Sequence, residues 1–281
     1  TLALLMPFSI GREAKMRPLS QSRYILPSGG GGGPSGGSYV TLVDLDLTDL
    51  ETVSAITSGA NTLQFASSAD ELSMTVTRFS GANGDVTPTN GSGILMNGGT
   101  GSGTVTASFD INPLLDSYTR EDVSKHIYAV QLVVTNVVYP LAGASDIFTG
   151  LNRGNNTTHN SGNARGWFFT DNNDGTNEDV RVRSNTSNSG VLATTAIKTS
   201  RVFTYILLGG QSVQVMDTSG TTPPTPVPGG ASPGTTVMVG AASLGLNATA
   251  LTYFDNGLRC YFGAGDRTDA TLTRLLVKRF Q

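Results

Sequence analysis

The stretch Val202-Phe-Thr-Tyr-Ile-Leu-Leu208, Gly209-Gly210, Gln211-Ser-Val-Gln-Val-Met216 decides the fold. Two runs rich in β-branched and aromatic residues flank a glycine pair. Glycine enters the left-handed backbone of a tight primed turn at no steric cost, so the spacing predicts two antiparallel strands joined by a two-residue turn. Similar short runs, bounded by Gly, Asn, Asp or Pro, recur at Tyr39–Leu47, Leu72–Phe79, Val105–Ile111, Ile127–Val138 and Gly166–Thr170. Such runs suit half-buried strands. A second hairpin is predicted to join Trp167-Phe168-Phe169 to Val180-Arg181-Val182 across the polar tip Asp171 to Asp179, and Ala270–Phe280 reads as a strand closing the sheet. The fold class expected is all-β.

Composition agrees. Only 14% of the 281 residues are charged, while glycine reaches 35, a mixture that makes many turns and few surface helices. One connector helix is predicted between Asn112 and Lys125, where Asn112 can cap, Pro113 suits the first helical position and Thr119-Arg-Glu-Asp122 resembles a capping box. Gly220 to Gly234 contains Pro223, Pro224, Pro226, Pro228 and Pro233; without N–H donors it cannot join a ladder and is expected as a long exposed loop. The one cysteine, Cys260, excludes an intrachain disulfide or a multi-thiolate metal site. His126 and His159 are the only histidines, leaving almost no material for a catalytic triad or a histidine-based metal site.

The sharpest break in composition is Ser28 to Ser38, where Gly29 to Gly33, Pro34 and Gly36-Gly37 form a flexible tether. It divides an arm with tether, residues 1–38, from a β body, residues 39–281. The arm holds Arg12, Lys15, Arg17 and Arg23 against Glu13, a net +3, whereas the body's 14 basic and 20 acidic residues give a net −6. Thr1–Ile10 is apolar but too short to span a bilayer, and no basic n-region or cleavage site marks a signal peptide, so membrane insertion is not expected and synthesis in the cytoplasm is. Four scattered cations are a weak footprint for nucleic acid. Docking of Leu4, Leu5, Met6, Phe8 and Ile10 in a groove of a partner protein, with Arg12, Lys15 and Arg17 alongside, matches the arm's content better; residues 1–26 would order on binding.

Three stretches carry a resemblance: Tyr128-Ala-Val-Gln-Leu-Val-Val-Thr-Asn136, the hairpin Tyr205-Ile-Leu-Leu-Gly-Gly-Gln-Ser-Val-Gln-Val215, and Tyr261-Phe-Gly-Ala-Gly-Asp-Arg-Thr-Asp-Ala-Thr-Leu-Thr-Arg-Leu-Leu-Val277. In their order they resemble the concanavalin A-like lectin/glucanase sandwich, the legume-lectin and laminin-G type of jelly roll, over residues 39–281. The layout of arm, glycine hinge and Thr/Asn/Gly-rich β body also resembles tail-fibre, tailspike and head-decoration proteins of tailed bacteriophages. Together these resemblances imply an antiparallel jelly-roll β-sandwich on the virion surface. Its arm would dock on other virion proteins, its body would decorate the capsid or contact host glycans, and a symmetric homo-oligomer, a trimer first, is expected. A glycoside hydrolase and a free-standing glycan-binding module on the same fold are the alternatives; a non-enzymatic role is the leading expectation.

Laminarinase-type members of that superfamily carry Glu-x-Asp-x-x-Glu, and the nearest match is Asp44-x-Asp46-x-x-Asp49. It has Asp for both Glu and lies on the first strand of the body, so it reads as an outward polar face and no catalytic residue is assigned. No cofactor is expected. If calcium binds, the hard oxygens of Asp171, Asn173, Asp174 and Asp179 are its place, although an EF-hand fails because Asp171 as position 1 puts Gly175 at position 5. The same residues also serve as plain turn formers. For a sugar ring, Trp167 beside Arg165 is the first candidate, with Tyr253, Asp255 and Asn256 next. The competing place for Trp167 is the core, where sandwich tryptophans usually sit. The Gly-x-Ser-x-Gly matches at Gly33–Gly37 and Gly230–Gly234, and Gly31-x-Gly33-x-x-Gly36, lack the flanking strand and helix their chemistry needs.

Overall fold

The computed structural model describes residues 38–48, 61–66, 71–78, 84–99, 104–110, 127–140, 145–153, 165–172, 174–184, 187–188, 191, 193–208, 212–226, 235–239 and 258–280. In chain order its strands are β1 (Tyr39–Asp46), β2 (Asn61–Ala66), β3 (Glu71–Arg78), β4 (Asp85–Thr89), β5 (Gly93–Asn97) and β6 (Thr104–Asp110). There follow β7 (Ile127–Val138), β8 (Asp146–Arg153), β9 (Arg165–Asp171), β10 (Asn177–Ser184), β11 (Ser187–Asn188) and β12 (Ala193–Ala196). The last are β13 (Arg201–Leu208), β14 (Ser212–Ser219), β15 (Thr235–Val239), β16 (Leu258–Gly265) and β17 (Asp269–Phe280). No helix among the described residues is long and apolar enough to cross a membrane. The predicted helix at 112–125 and the arm, 1–37, lie outside the described residues.

The strands form two antiparallel sheets packed as an all-β sandwich. The first runs β15-β14-β13-β7-β17; the far edge of β17 then takes β5 and β4 along its first half and β1 along its second. The second runs β10-β9-β8-β16-β6-β3-β2, with β11 and β12 both on the outer edge of β10. Between them lies one large core. Trp167 and Phe169 of the second sheet, Phe203 of the first and Phe262 of the second form a chain of rings with successive centroids 6.2, 5.4 and 6.3 Å apart. Each such side chain contributes about 1.5–3 kcal/mol on burial. Across this core the Tyr205 hydroxyl donates to Thr149 Oγ1 at 2.6 Å, and Thr149 Oγ1 donates to the Tyr261 carbonyl at 3.0 Å.

Both predicted hairpins form. Val202 to Leu208 pairs with Thr218 to Ser212, and Trp167, Phe168 and Phe169 face Val182, Arg181 and Val180. The first register sets Leu208 opposite Ser212, which leaves three residues between the paired ends where the glycine pair suggested two. The final run is not a closing strand: β17 lies inside its sheet, with β7 on one edge and β5 and β1 on the other. Residue 136 of β7 takes a positive φ of 52°, beside the shift in register with β17; an asparagine tolerates this conformation better than the β-branched residues around it.

At its centre the first sheet is buried on both faces. On β7 Tyr128, Val130, Leu132 and Val134 point into the core, while Ile127, Ala129, Gln131 and Val133 on the opposite face are buried as well. Part of that outer cover is the segment after β14, where Gln131 Nε2 donates to the Pro224 carbonyl at 2.8 Å and Pro226 is buried. The expectation of a fully exposed loop from 220 is therefore corrected at its start. Proline suits this duty because it brings no N–H donor that would go unsatisfied against an apolar face.

Candidate functional site

Along β9 side chains alternate between the two faces of the sheet. Trp167, Phe169 and Asp171 point inward, and Phe168 and Thr170 point outward. Trp167 has 0% of its surface exposed and sits in the core, so it offers no face to a sugar; this corrects its candidacy. Arg165 sits at the start of β9, opposite Leu151 and Ser184. Tyr253, Asp255, Asn256, Asn173 and the arm residues Leu4, Leu5, Met6, Phe8, Ile10, Arg12, Lys15 and Arg17 lie outside the described residues.

One place further along the chain from Trp167, an aromatic ring does reach the surface. Phe168 is half-buried, stacked on Phe148 with ring centroids 6.2 Å apart and planes at 12°. On the other side, directly across the ladder, stands Arg181 of β10. The neighbouring row runs Asp146, Thr170, Asp179, Thr194 across β8, β9, β10 and β12. Thr194 Oγ1 donates to Asp179 Oδ1 at 2.8 Å, and Arg181 Nη2 lies 3.7 Å from Asp179 Oδ2. The side chains of Arg181 and Asp179 keep 32% and 20% of their surface exposed, so the pair remains open to a ligand. An apolar ring beside a guanidinium, a carboxylate and hydroxyls is the combination that holds a hydroxylated ring: the aromatic covers the C–H face and the polar groups fix the hydroxyls.

Of the residues named for calcium, Asp171 and Asp179 lie on opposite faces of the sheet. Asp171 stands opposite Glu178 on the inner face and is buried, whereas Asp179 stands opposite Thr170 on the outer face. Asp174 staples the turn: Oδ1 accepts from Thr176 N, Thr176 Oγ1 and Asn177 N at 2.7, 2.8 and 2.6 Å, and Oδ2 accepts from Asn177 Nδ2 at 2.6 Å. The bond from the Asn177 side chain, then that from the Thr176 backbone, hold its carboxyl well below the usual range. The oxygens of Asp171 and Asp179 do not converge on one ion, and among the described residues no three His, Cys, Asp or Glu groups form a cluster fit for a metal. The Asp44-x-Asp46 match is an outward face, as its position suggested. Arg274 holds Asp44 through bonds of 2.6 and 2.5 Å, and Thr48 bonds Asp46 through its N and Oγ1; Asp49 lies outside the described residues.

A charged cluster that no local pattern announced spans the two sheets behind the platform. Arg201 Nη2 of β13 donates to both carboxylate oxygens of Glu178 of β10 at 2.6 Å, and the Tyr139 hydroxyl donates to Glu178 Oε2 at 3.0 Å. Asp217 of β14 accepts from Lys198 Nζ and lies 3.7 Å from Arg201 Nη1. The guanidinium also stacks over Phe169, 4.7 Å from its centroid. Two cations thus meet two anions in a site nearly closed to solvent, which makes the cluster a latch between the sheets.

No family model matches the sequence, and no curated protein matches it. Several solved structures are similar to it. The CBM2 module of the evolved Dit of Lactobacillus casei BL23 phage J-1 is 8% identical, with a TM-score of 0.44 over 86% of this chain and 96% of that one. The Emp47p carbohydrate recognition domain is 8% identical, with a TM-score of 0.41 over 85% and 96%. The metal-free Emp46p carbohydrate recognition domain is 10% identical, with a TM-score of 0.40 over 72% and 87%. At these values the likeness does not assign the chain to a family.

Proposed function

We propose that this chain is an attachment protein of a tailed bacteriophage: residues 1–26 anchor it to the particle, and the platform of Phe168, Arg181, Asp179 and Thr194 binds glycans of the host surface. The observation that carries the glycan reading is the half-buried Phe168 ring set directly across the ladder from Arg181 on the outer face of the second sheet. The basic arm, the glycine tether and the β body of opposite charge support the attachment reading. The body then works by recognition, without catalysis.

The test has two arms. On a glycan array the full chain binds a subset of host-surface glycans and the Phe168→Ala variant loses that binding. In particles assembled with a chain lacking residues 1–26, the protein is missing while the free variant still binds the same glycans. Incorporation without the arm defeats the anchoring role; binding that survives Phe168→Ala defeats the platform.

A further inference from the structure

We propose that the ligand of this platform is a neutral oligosaccharide, a chain of linked sugars that crosses the edge of the second sheet into a depression on the flank of the sandwich; the inference rests on the glycan reading above. The row Thr170, Asp179, Thr194 leads outward from Phe168 to β12, which among the described residues pairs only with β10 and so forms the sheet's edge. With strands about 4.8 Å apart, that row covers roughly 10 Å, more than one sugar seated on Phe168 can reach. Thr194 is exposed on the platform side, and Thr195, next in the chain, lines the depression.

The depression has a volume of about 520 Å³. That falls within the range of about 300–1,000 Å³ common to small-molecule sites. Thr195, Thr199, Ser200 and Ser219 line it, with Gly220 and Lys198 completing the wall. Thr199 and Ser219 are exposed, and a Cβ at Gly220 would meet nothing within 4 Å, so the rim is open. Lys198 commits its ammonium to Asp217, so the wall presents donors and acceptors without a net charge. This chemistry suits the hydroxyls of an uncharged sugar and gives an anionic one no free cation.

The experiment measures binding of the full chain to mono- through hexasaccharides of glucan, galactan and mannan series by calorimetry. Affinity is expected to rise with chain length by about tenfold or more once the second contact engages. Thr199→Trp and Ser219→Tyr, which fill the depression from exposed positions, reduce the ratio of long-chain to short-chain affinity towards one; thermal melts verify that both variants fold. Equal affinity along the ladder, or a length gain that both folded variants retain, overturns the oligosaccharide inference while Phe168-dependent binding upholds the platform. Absence of binding to any sugar in the three series overturns the neutral-oligosaccharide inference, and an accompanying blank glycan array removes the platform reading too.

Discussion

Arg201 places one guanidinium nitrogen 2.6 Å from both carboxylate oxygens of Glu178, and the two residues belong to different sheets. The pair is closed to solvent, so removing one partner leaves a buried charge unmatched. Glu178→Ala or Arg201→Ala should each destabilise the body by about 3–5 kcal/mol, whereas the paired change Glu178→Leu with Arg201→Met should come close to neutral. Urea unfolding of the three variants checks both statements; a neutral single variant would show that the latch is open in solution.

The same pair sets a pH dependence. Burial pushes the Glu178 carboxyl above its ordinary value of 4.5, against the pull of Arg201. A raised value means that the folded state takes up the proton more readily than the unfolded chain. The group's contribution to stability is then fully present below the unfolded value and is lost as pH rises through the folded one. Relative to Glu178→Gln, the wild type should gain stability as pH falls from neutral towards 4.5. A gain on raising the pH would mean that Arg201 outweighs burial.

Trp167 and Phe168 should separate stability from binding. Trp167→Ala removes a fully buried ring and should cost about 3–5 kcal/mol. Phe168→Ala should cost less and abolish glycan binding. Melts and array binding on the two variants give opposite patterns if the faces are assigned correctly.

Gly166 and Gly263 should tolerate no side chain. A Cβ at Gly166 would lie 2.0 Å from the Thr149 carbonyl oxygen, and one at Gly263 would lie 2.5 Å from the Val105 oxygen and 2.1 Å from the Phe148 ring. Overpacking of this kind costs about 1–3 kcal/mol or more. Gly175→Ala has open space but a φ of +69°, so its smaller cost, about 1 kcal/mol, comes from backbone conformation alone. Denaturant midpoints for the three alanine variants should rank accordingly.

Cys260 is fully buried, and burial pushes its thiol well above the ordinary range. A thiol-reactive disulfide reagent should leave the native protein unlabelled and titrate one thiol at once in denaturant. Rapid labelling of the native protein would place Cys260 outside the core.

Much of the fold was legible in local pattern. The bounds of β7, the two hairpins and the register of Trp167 to Phe169 against Val182 to Val180 follow from alternation and turn chemistry, because a strand's period of two and a turn's φ requirements act over a few residues. Alternation also separates Trp167 from Phe168 onto opposite faces. Which face meets the other sheet is not a local property, and this is why the aromatic chosen for the surface lies in the core while its neighbour carries the candidate site. The same limit applies to charge. Glu178 sits in a polar hairpin tip and Arg201 begins an apolar strand, 23 residues on; Asp44 and Arg274 are 230 apart. Sequence alone determined an all-β chain whose first 38 residues are net basic and rich in glycine. Tertiary packing decided which carboxylates became buried latches, which stayed in water and which ring met solvent, because burial and pairing depend on the sheet that arrives from elsewhere in the chain.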